Sequence, residues 1–210
     1  MASRAEDWLG RLRAGLAIPP APRDPKHALL ARVVGEPTVE LLAALAAPAR
    51  PAAVLVGFVE RSGGPHLVLT ERGAHLKDHP GQVSFPGGRV APADADAIAA
   101  ALRESQEEIG LVASQVEVLG CLPEQLTVTG FVVTPVLALL APEWQPIPDP
   151  GEVDAVFEVP LAHLLDRKSL AIEFRDRLGT RFRSGVYVFE GHRIWGATAS
   201  ILEQAIRLIE

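Results

Sequence analysis

The chain has 210 residues, of which 48% are hydrophobic and 22% are charged, a composition typical of a globular protein with one sizeable core. Its formal net charge of −6 argues against nucleic acid as the main partner, because nucleic-acid-binding proteins carry a basic surface. Cys121 is the single cysteine, which excludes an intramolecular disulfide and a zinc cluster built on several thiolates. Its apolar neighbours in the sequence predict a core position for it.

The chain shows no targeting or membrane signal. Residues 1–8 lack the apolar segment of a secretory signal, and no apolar run reaches the length of a membrane span. We therefore expect a cytoplasmic protein with no membrane partner. The sequence leaves the oligomeric state open.

The first quarter of the chain predicts two short helices and carries no recognisable chemistry. Residues 4–16 have the spacing of an amphipathic helix, and the proline-rich residues 18–22 interrupt it. Residues 23–37 have no clear periodicity and predict irregular structure. Thr38 is a suitable N-cap for a short helix that ends near Ala46.

After residue 50 the pattern changes to a mixture of strands and helices, and we expect residues 1–50 to be an N-terminal helical extension of a domain that spans residues 51–210. The predicted strands are residues 52–59, 66–70, 116–122, 131–140, 152–159, 170–174 and 181–189, and the later predicted helices are residues 161–166 and 198–209. Pro135 favours an edge position or a bulge for its strand. The absence of a regular βαβ alternation indicates an α/β sandwich around a mixed sheet.

One amphipathic helix carries three glutamates on a single face. Its apolar stripe is formed by Ile98, Ala101, Leu102, Ser105 and Ile109. On a helical wheel Glu104, Glu107 and Glu108 fall within about 100° of one another, opposite that stripe. Gly110 follows, where a left-handed helix cap is expected. The preceding Gly87-Gly88 turn would let the backbone approach another group closely.

The three glutamates indicate a metal site. Like charges at this helical spacing repel each other by a few tenths of a kcal/mol per pair. A hard divalent cation, which prefers oxygen ligands, would convert that repulsion into binding. The alternative is an acidic helix face that is simply solvated.

The segment from Gly88 to Leu111 resembles the Nudix box. From Arg103 onward it reads Arg-Glu, two residues, Glu-Glu, one residue, Gly and an aliphatic residue, which matches the downstream half of the box. Fourteen residues separate Gly88 from Arg103, one more than the usual spacing. The acidic position of the box is therefore Asp94 when counted from Gly88 and Ala95 when counted back from Arg103. A one-residue insertion in the turn explains the difference.

This resemblance implies a Nudix-type α/β/α sandwich around a mixed β-sheet. It also implies hydrolysis of nucleoside diphosphates linked to another moiety, with Mg²⁺ or Mn²⁺. Glu104, Glu107 and Glu108 would be the catalytic metal ligands, and the backbone carbonyl of Gly88 would be a further ligand. Arg103 would pair with a neighbouring carboxylate and brace the motif, with direct phosphate contact as the alternative role.

A second resemblance concerns the substrate. Residues 69–88 are similar to the signature that precedes the box in the coenzyme A diphosphatases of the Nudix family. They depart from it at Gly73, where Ser is usual, and at Lys77, where Arg is usual. The resemblance implies substrate contacts from four residues of this segment: Arg72, Lys77, Gly81 and Phe85. The implied small-molecule substrate is coenzyme A or a thioester of it, cleaved to 3′,5′-ADP and 4′-phosphopantetheine or its acyl derivative.

Two further acidic residues are weaker candidates. The role of Asp94 depends on where the extra residue lies. Glu152 follows a proline-rich loop and is either a base that deprotonates water or a strand-start residue facing solvent. The alternative functions are hydrolysis of ADP-ribose or NADH, and nucleotide sensing without turnover. The intact set of three glutamates argues against a sensor.

Overall fold

A computed structural model describes residues 7–18, 24–76 and 80–210. The helices in this part of the chain are α1 (Trp8–Ala17), α2 (Pro25–Leu30), α3 (Val39–Ala44), α4 (Ala97–Ile109), α5 (Leu161–Leu165) and α6 (Gly196–Ile209). The strands are β1 (Val33–Val34), β2 (Arg50–Arg61), β3 (Gly64–Arg72), β4 (Val83–Ser84), β5 (Gly87–Arg89), β6 (Val116–Cys121), β7 (Gln125–Leu126), β8 (Phe131–Leu140), β9 (Val153–Pro160), β10 (Leu170–Arg177), β11 (Thr180–Phe189) and β12 (His192–Trp195).

The larger sheet is mixed and has the order β4-β3-β2-β8-β6, with β5 on β2, β7 on β8 and β9 on β3. The central pair, β2 and β8, is parallel, and the other pairs of this sheet are antiparallel. The predicted strands at residues 52–59 and 66–70 are confirmed, and both extend further at each end. The short β5 brings the Gly87-Gly88 turn beside the start of β2, where Ala53 is opposite Gly88.

The two faces of this sheet are covered by different helices. Successive side chains of a strand point to opposite faces. In β2, Val56 and Phe58 pack in the same core cluster as α6, whereas Leu55 and Val59 pack in the cluster that contains α4. This arrangement confirms the predicted α/β/α sandwich around a mixed sheet.

A second, antiparallel sheet has the order β1-β11-β10, with β12 paired to β11. The predicted hairpin around Gly179 is confirmed as β10 and β11. The prediction of irregular structure at residues 23–37 was wrong, because α2 and β1 lie there. Asp24 caps α2 by accepting a hydrogen bond from the Lys26 N–H at 2.9 Å, and β1 has its strand partner about 150 residues away in β11.

Two further predictions from local pattern were wrong. β8 lies inside the sheet despite Pro135. Beside this residue the partner strand on one side of β8 changes from β6 to β7. In the gap between those strands, the Pro135 carbonyl accepts a hydrogen bond from Leu122 N at 2.9 Å. Cys121 is exposed and not in the core. A register shift between Val118 and Gly120 changes the side-chain alternation of β6, which is an edge strand.

The ends of α4 follow their local sequence signals. Asp96 caps the first turn by accepting a hydrogen bond from Ala99 N at 2.8 Å. Gly110 has the predicted left-handed conformation, with φ 68°. Thr38 caps α3 in the same way as Asp96, through Leu41 N at 3.2 Å.

Within the described ranges, no helix is both long and apolar enough to span a membrane. The N-terminal segments pack on the rest of the chain, since α1 contacts α6 and β1 pairs with β11. A domain boundary near residue 50 stays a prediction.

Candidate active site

The three glutamates of α4 differ in exposure, although a helical wheel places them together. Glu108 is buried, with 4% of its surface exposed. The side chain of Glu104 is 17% exposed, and that of Glu107 is 54% exposed. The acidic face is therefore not a uniformly solvated surface, because it runs from the protein interior to solvent.

Burial raises the pKa of the Glu108 carboxyl to about 7, although the Gly87 N–H and the Arg72 guanidinium favour its charged form. The Gly87 N–H donates to Oε2 of Glu108 at 3.0 Å. Burial also raises the pKa of Glu104, against the opposing effect of Arg103. The nearby carboxylate of Glu152 contributes to both increases. The site thus concentrates negative charge without compensating it fully.

Arg103 is the centre of a network that holds this motif together. Its guanidinium donates to both carboxylate oxygens of Asp94, at 3.0 and 3.1 Å, and to the Arg89 carbonyl at 3.1 Å. It also pairs with Glu104 at 2.9 Å and with Glu107 at 3.0 Å. These contacts correspond to the bracing role that the sequence suggested for Arg103.

Asp94 is the acidic residue that meets Arg103, so the extra residue of the turn lies after it and before α4. Its carboxylate also accepts from Ala91 N at 2.7 Å. The bonds from Arg103 and Ala91 hold the pKa of Asp94 below its usual value. Because both oxygens are engaged, Asp94 positions Arg103 and the loop in this arrangement.

Gly88 leaves space that the Glu104 carboxylate occupies. A Cβ built on Gly88 would lie 2.3 Å from Oε2 of Glu104. The neighbouring Gly87 has φ +146°, and a Cβ there would lie 2.3 Å from the Ala53 carbonyl oxygen of β2. Close approach therefore requires glycine at Gly87, where the neighbour is backbone, whereas at Gly88 the neighbour is the movable end of a side chain.

The segment before the glycine turn supplies one cation to the site. Arg72 Nη1 lies 3.9 Å from Oε1 of the buried Glu108. Gly81, with φ +64°, donates its N–H to the Arg72 carbonyl at 3.0 Å and so folds the loop back on β3. Lys77, the other predicted phosphate contact, lies outside the described residues.

Phe85 does not fit its predicted substrate contact. Its side chain is 2% exposed and packs in the core cluster on the α6 side of the large sheet. A ligand cannot reach a ring buried in this way. The aromatic residue of the signature therefore supports the turn from within.

The loop that precedes β9 brings Glu152 to the site. Asp149 N donates to the Glu108 carbonyl at 2.9 Å, and Gly73 N donates to the Glu152 carbonyl at 2.9 Å. The loop is thereby attached both to the end of α4 and to the end of β3. Glu152 itself is exposed, and its charge is close enough to raise the pKa of Glu104 and Glu108.

Two backbone groups of the site could not be found from residue types. The Gly87 N–H binds Glu108, and the Arg89 carbonyl binds Arg103. The pairing of β5 with β2 orients both groups. To predict them, one would have to recognise Gly87–Arg89 as a strand, and a glycine-rich segment lacks the residue pattern of a strand.

The NUDIX domain family model matches residues 48–178. The chain belongs to the Nudix family. The uncharacterized Nudix hydrolase NudL of Escherichia coli (strain K12) is 44% identical over 155 residues, which cover 74% of this chain and 80% of that protein. The protein of the same name from Salmonella paratyphi B is 46% identical over 157 residues, with the same coverage. The crystal structure of a Nudix hydrolase from M. smegmatis, RenU, has 24% sequence identity and a TM-score of 0.48, and covers 57% of this chain and 76% of that one.

Family membership gives the coarse function and the class of cofactor. Nudix hydrolases act on the pyrophosphate bond of nucleoside diphosphate derivatives, and they generally use divalent ions such as Mg²⁺ or Mn²⁺. As their side chains are placed, the described residues form no group of three or more His, Cys, Asp or Glu that would hold a metal ion. Arg103 and the Gly87 N–H attract the carboxylates instead.

The donor chemistry nevertheless fits such an ion. The candidate donors of this Nudix site are all oxygens, which Mg²⁺ and Mn²⁺ prefer. Burial raises the pKa of Glu104 and Glu108, which indicates negative charge that a cation would stabilise. The space beside Gly88 also lets Glu104 approach the backbone.

Arg103→Lys should lower kcat of the Nudix reaction by about 10- to 100-fold, the range usual for residues that orient metal ligands. The guanidinium binds several acceptors at once, and an ammonium point charge cannot reproduce that geometry. Steady-state kinetics measures the effect. Arg13→Lys is the matched control, because Arg13 forms an exposed ion pair with Glu117 at 2.6 Å. Equal kcat for the two variants would contradict the bracing role.

Proposed function

We propose that the chain hydrolyses the diphosphate of coenzyme A or its thioesters, with 3′,5′-ADP and 4′-phosphopantetheine or its acyl derivative as products. The position of Arg72 carries this proposal. It belongs to the segment that resembles the coenzyme A diphosphatase signature, and its guanidinium lies 3.9 Å from Glu108 of the Nudix box. The two motifs therefore border the same site.

In this proposal Glu104, Glu107 and Glu108 hold the divalent ion or ions, together with the Gly88 carbonyl. A bound Mg²⁺ or Mn²⁺ supplies neutralisation of the phosphate oxygens and aligns the diphosphate with the attacking water. Arg103 keeps two of these carboxylates in place through its contacts with Asp94 and the Arg89 carbonyl.

The remaining residues act on the substrate and on the proton of the water. Arg72 offers a cation to a phosphate group of the substrate, beside the buried carboxylate. Glu152, which is exposed and close to the α4 glutamates, accepts the proton of the attacking water, and one of the α4 glutamates is the alternative acceptor. The water oxygen bonds to phosphorus as the bridging P–O bond breaks, so each product keeps one phosphate of the diphosphate, and 3′,5′-ADP also keeps the 3′-phosphate of coenzyme A.

The substrate is tested by incubating the protein with coenzyme A, ADP-ribose or NADH, each with Mg²⁺ or Mn²⁺, and identifying products by mass spectrometry. We expect coenzyme A to be cleaved with a kcat/KM at least about tenfold above that of the other two, which corresponds to about 1.4 kcal/mol. A mock preparation from cells that do not express the chain, purified in the same way, measures hydrolysis by contaminants.

Preference for ADP-ribose or NADH would reject the coenzyme A proposal and leave the reaction class intact. Binding of a nucleotide without any turnover would instead favour the sensor. The identity of the products separates cleavage at the diphosphate from loss of a terminal phosphate.

A further inference from the structure

A polar cavity of about 290 Å³ lies away from the glutamates of α4. It is bounded by α2, β11, α6 and the segment between β6 and β7. Because α6 and α4 pack on opposite faces of the large sheet, this cavity belongs to the face that does not carry the Nudix box helix. The proposed function assigns no role to it.

Three arginines line this cavity: Arg32, Arg183 and Arg207. Over residues 7–18, 24–76 and 80–210, no carboxylate oxygen lies within 4.0 Å of these guanidinium nitrogens, which is the distance limit for an ion pair. The cavity also contains Glu203 and Glu124. Three positive groups against two negative ones give a local excess of positive charge in a chain whose formal net charge is −6.

The acidic residues of the wall compensate these arginines only in part, and the charge of Glu203 acts on Arg32 without forming an ion pair with it. Oε1 of Glu203 lies 2.1 Å from the position that a Cβ on Gly185 would take, so this carboxylate covers the backbone of β11. Glu124 accepts a hydrogen bond from the Thr134 hydroxyl at 3.5 Å. The positive charge of the cavity is thus available to an anion from outside the described chain.

Two donors of the cavity are shielded from solvent. Arg32 is half-buried, and its Nε donates to the Arg183 carbonyl at 3.4 Å. Burial lowers the pKa of Arg32, and the charge of Glu203 offsets this only in part. Nε2 of Gln204 is buried and has no hydrogen-bond partner among the described residues. A buried donor without an acceptor is destabilising, so a ligand that supplies acceptors would be favoured.

We infer that this cavity binds the phosphate group of a small phosphorylated anion. Guanidinium groups match phosphate through paired, charge-assisted hydrogen bonds, and phosphate has enough oxygens to accept from several arginines and an amide together. The volume is at the lower end of small-molecule sites, which suits a phosphate with a short organic group.

Isothermal titration calorimetry with inorganic phosphate and with glycerol 3-phosphate tests the site, and glycerol at the same ionic strength is the blank. We expect both anions to bind, and Arg183→Gln or Arg207→Gln to weaken binding about tenfold or more. Both arginines are exposed, so their variants should fold. Arg32→Gln tests the half-buried member of the set and should weaken binding as well.

Arg177→Gln is the matched control, because Arg177 is an exposed arginine of β10 outside the cavity lining. Arg72→Gln tests whether the anion binds at the Nudix site instead. Binding that is lost in Arg72→Gln and kept in the cavity variants would overturn the inference, as would no binding or an equal loss in Arg177→Gln. Tighter binding of glycerol 3-phosphate assigns the cavity to phosphate monoesters, and tighter binding of inorganic phosphate assigns it to the free ion; either result supports a phosphate site.

Discussion

Glu107→Gln should lower kcat for diphosphate hydrolysis by about 10²-fold or more, while the protein stays folded. The expected loss exceeds the ~10- to 100-fold that is usual for residues outside the ligand shell, because the proposed function makes Glu107 a charged metal ligand that glutamine would replace by a neutral one. The fold should tolerate the change, since the Glu107 side chain is 54% exposed and its ion pair with Arg103 lies at the surface. Exposed ion pairs contribute only about 0–1 kcal/mol.

The measurement is single-substrate kinetics over a range of Mg²⁺ and Mn²⁺ concentrations, together with thermal unfolding. Gln106→Ala is the matched control, because Gln106 is the exposed neighbour of Glu107 on the same helix. We expect the control to keep its kcat and the metal dependence of Glu107→Gln to shift to higher concentration. Hydrolysis at the parent rate in Glu107→Gln would show that the metal site has been assigned to the wrong residues.

The helix that carries this site could be predicted because its signals are local. Asp96 at the start, Gly110 at the end and an apolar stripe at helical spacing act within a few residues of one another, and all of them hold in the structure. The same pattern contains part of the exposure difference that the prediction of one acidic face missed, since at about 100° per residue Glu108 falls next to Ala101 of the apolar stripe and Glu107 far from it. The side chain of Glu108 lies against β5 and the end of β3, since Gly87 N donates to its Oε2 at 3.0 Å and Arg72 Nη1 lies 3.9 Å from its Oε1.

The predictions that were wrong depended on contacts between distant parts of the chain. Residues 33–34 have no strand pattern of their own, because β1 is a strand through its pairing with β11. Phe85 belongs to a motif that resembles a substrate signature, but its ring fills the core beneath the turn. Pro135 is compatible with an inner strand because β6 ends and β7 begins beside it. None of these facts can be obtained from local composition.

The position of the extra residue in the turn illustrates the same limit. Spacing alone left Asp94 and Ala95 as alternatives for one position of the box. The contact between Asp94 and Arg103 distinguishes them, because the carboxylate binds two nitrogens of the guanidinium. Asp94 and Arg103 are nine positions apart across a loop, so their contact depends on the path of that loop, which the sequence does not specify.

Gly88→Ala should reduce kcat by about 10²-fold with little loss of stability. The new Cβ would lie 2.3 Å from Oε2 of Glu104, and the flexible end of that side chain can move away. Gly88 does not have a left-handed backbone, so alanine causes no conformational strain there. The displaced carboxylate can no longer occupy its place beside the turn, and a misplacement of about 1 Å in a catalytic group can cost about 10²-fold in rate.

The adjacent Gly87→Ala variant gives the opposite pattern and is the matched comparison. Its Cβ would lie 2.3 Å from the Ala53 carbonyl oxygen and 2.6 Å from the Val54 Cα, both in the backbone of β2, and its φ of +146° disfavours alanine. We expect Gly87→Ala to lower the free energy of unfolding by at least about 2 kcal/mol. Urea unfolding and kinetics on both variants test this. If Gly88→Ala is as unstable as Gly87→Ala, or keeps its full kcat, then the space beside Gly88 is not needed to position the Glu104 carboxylate for catalysis.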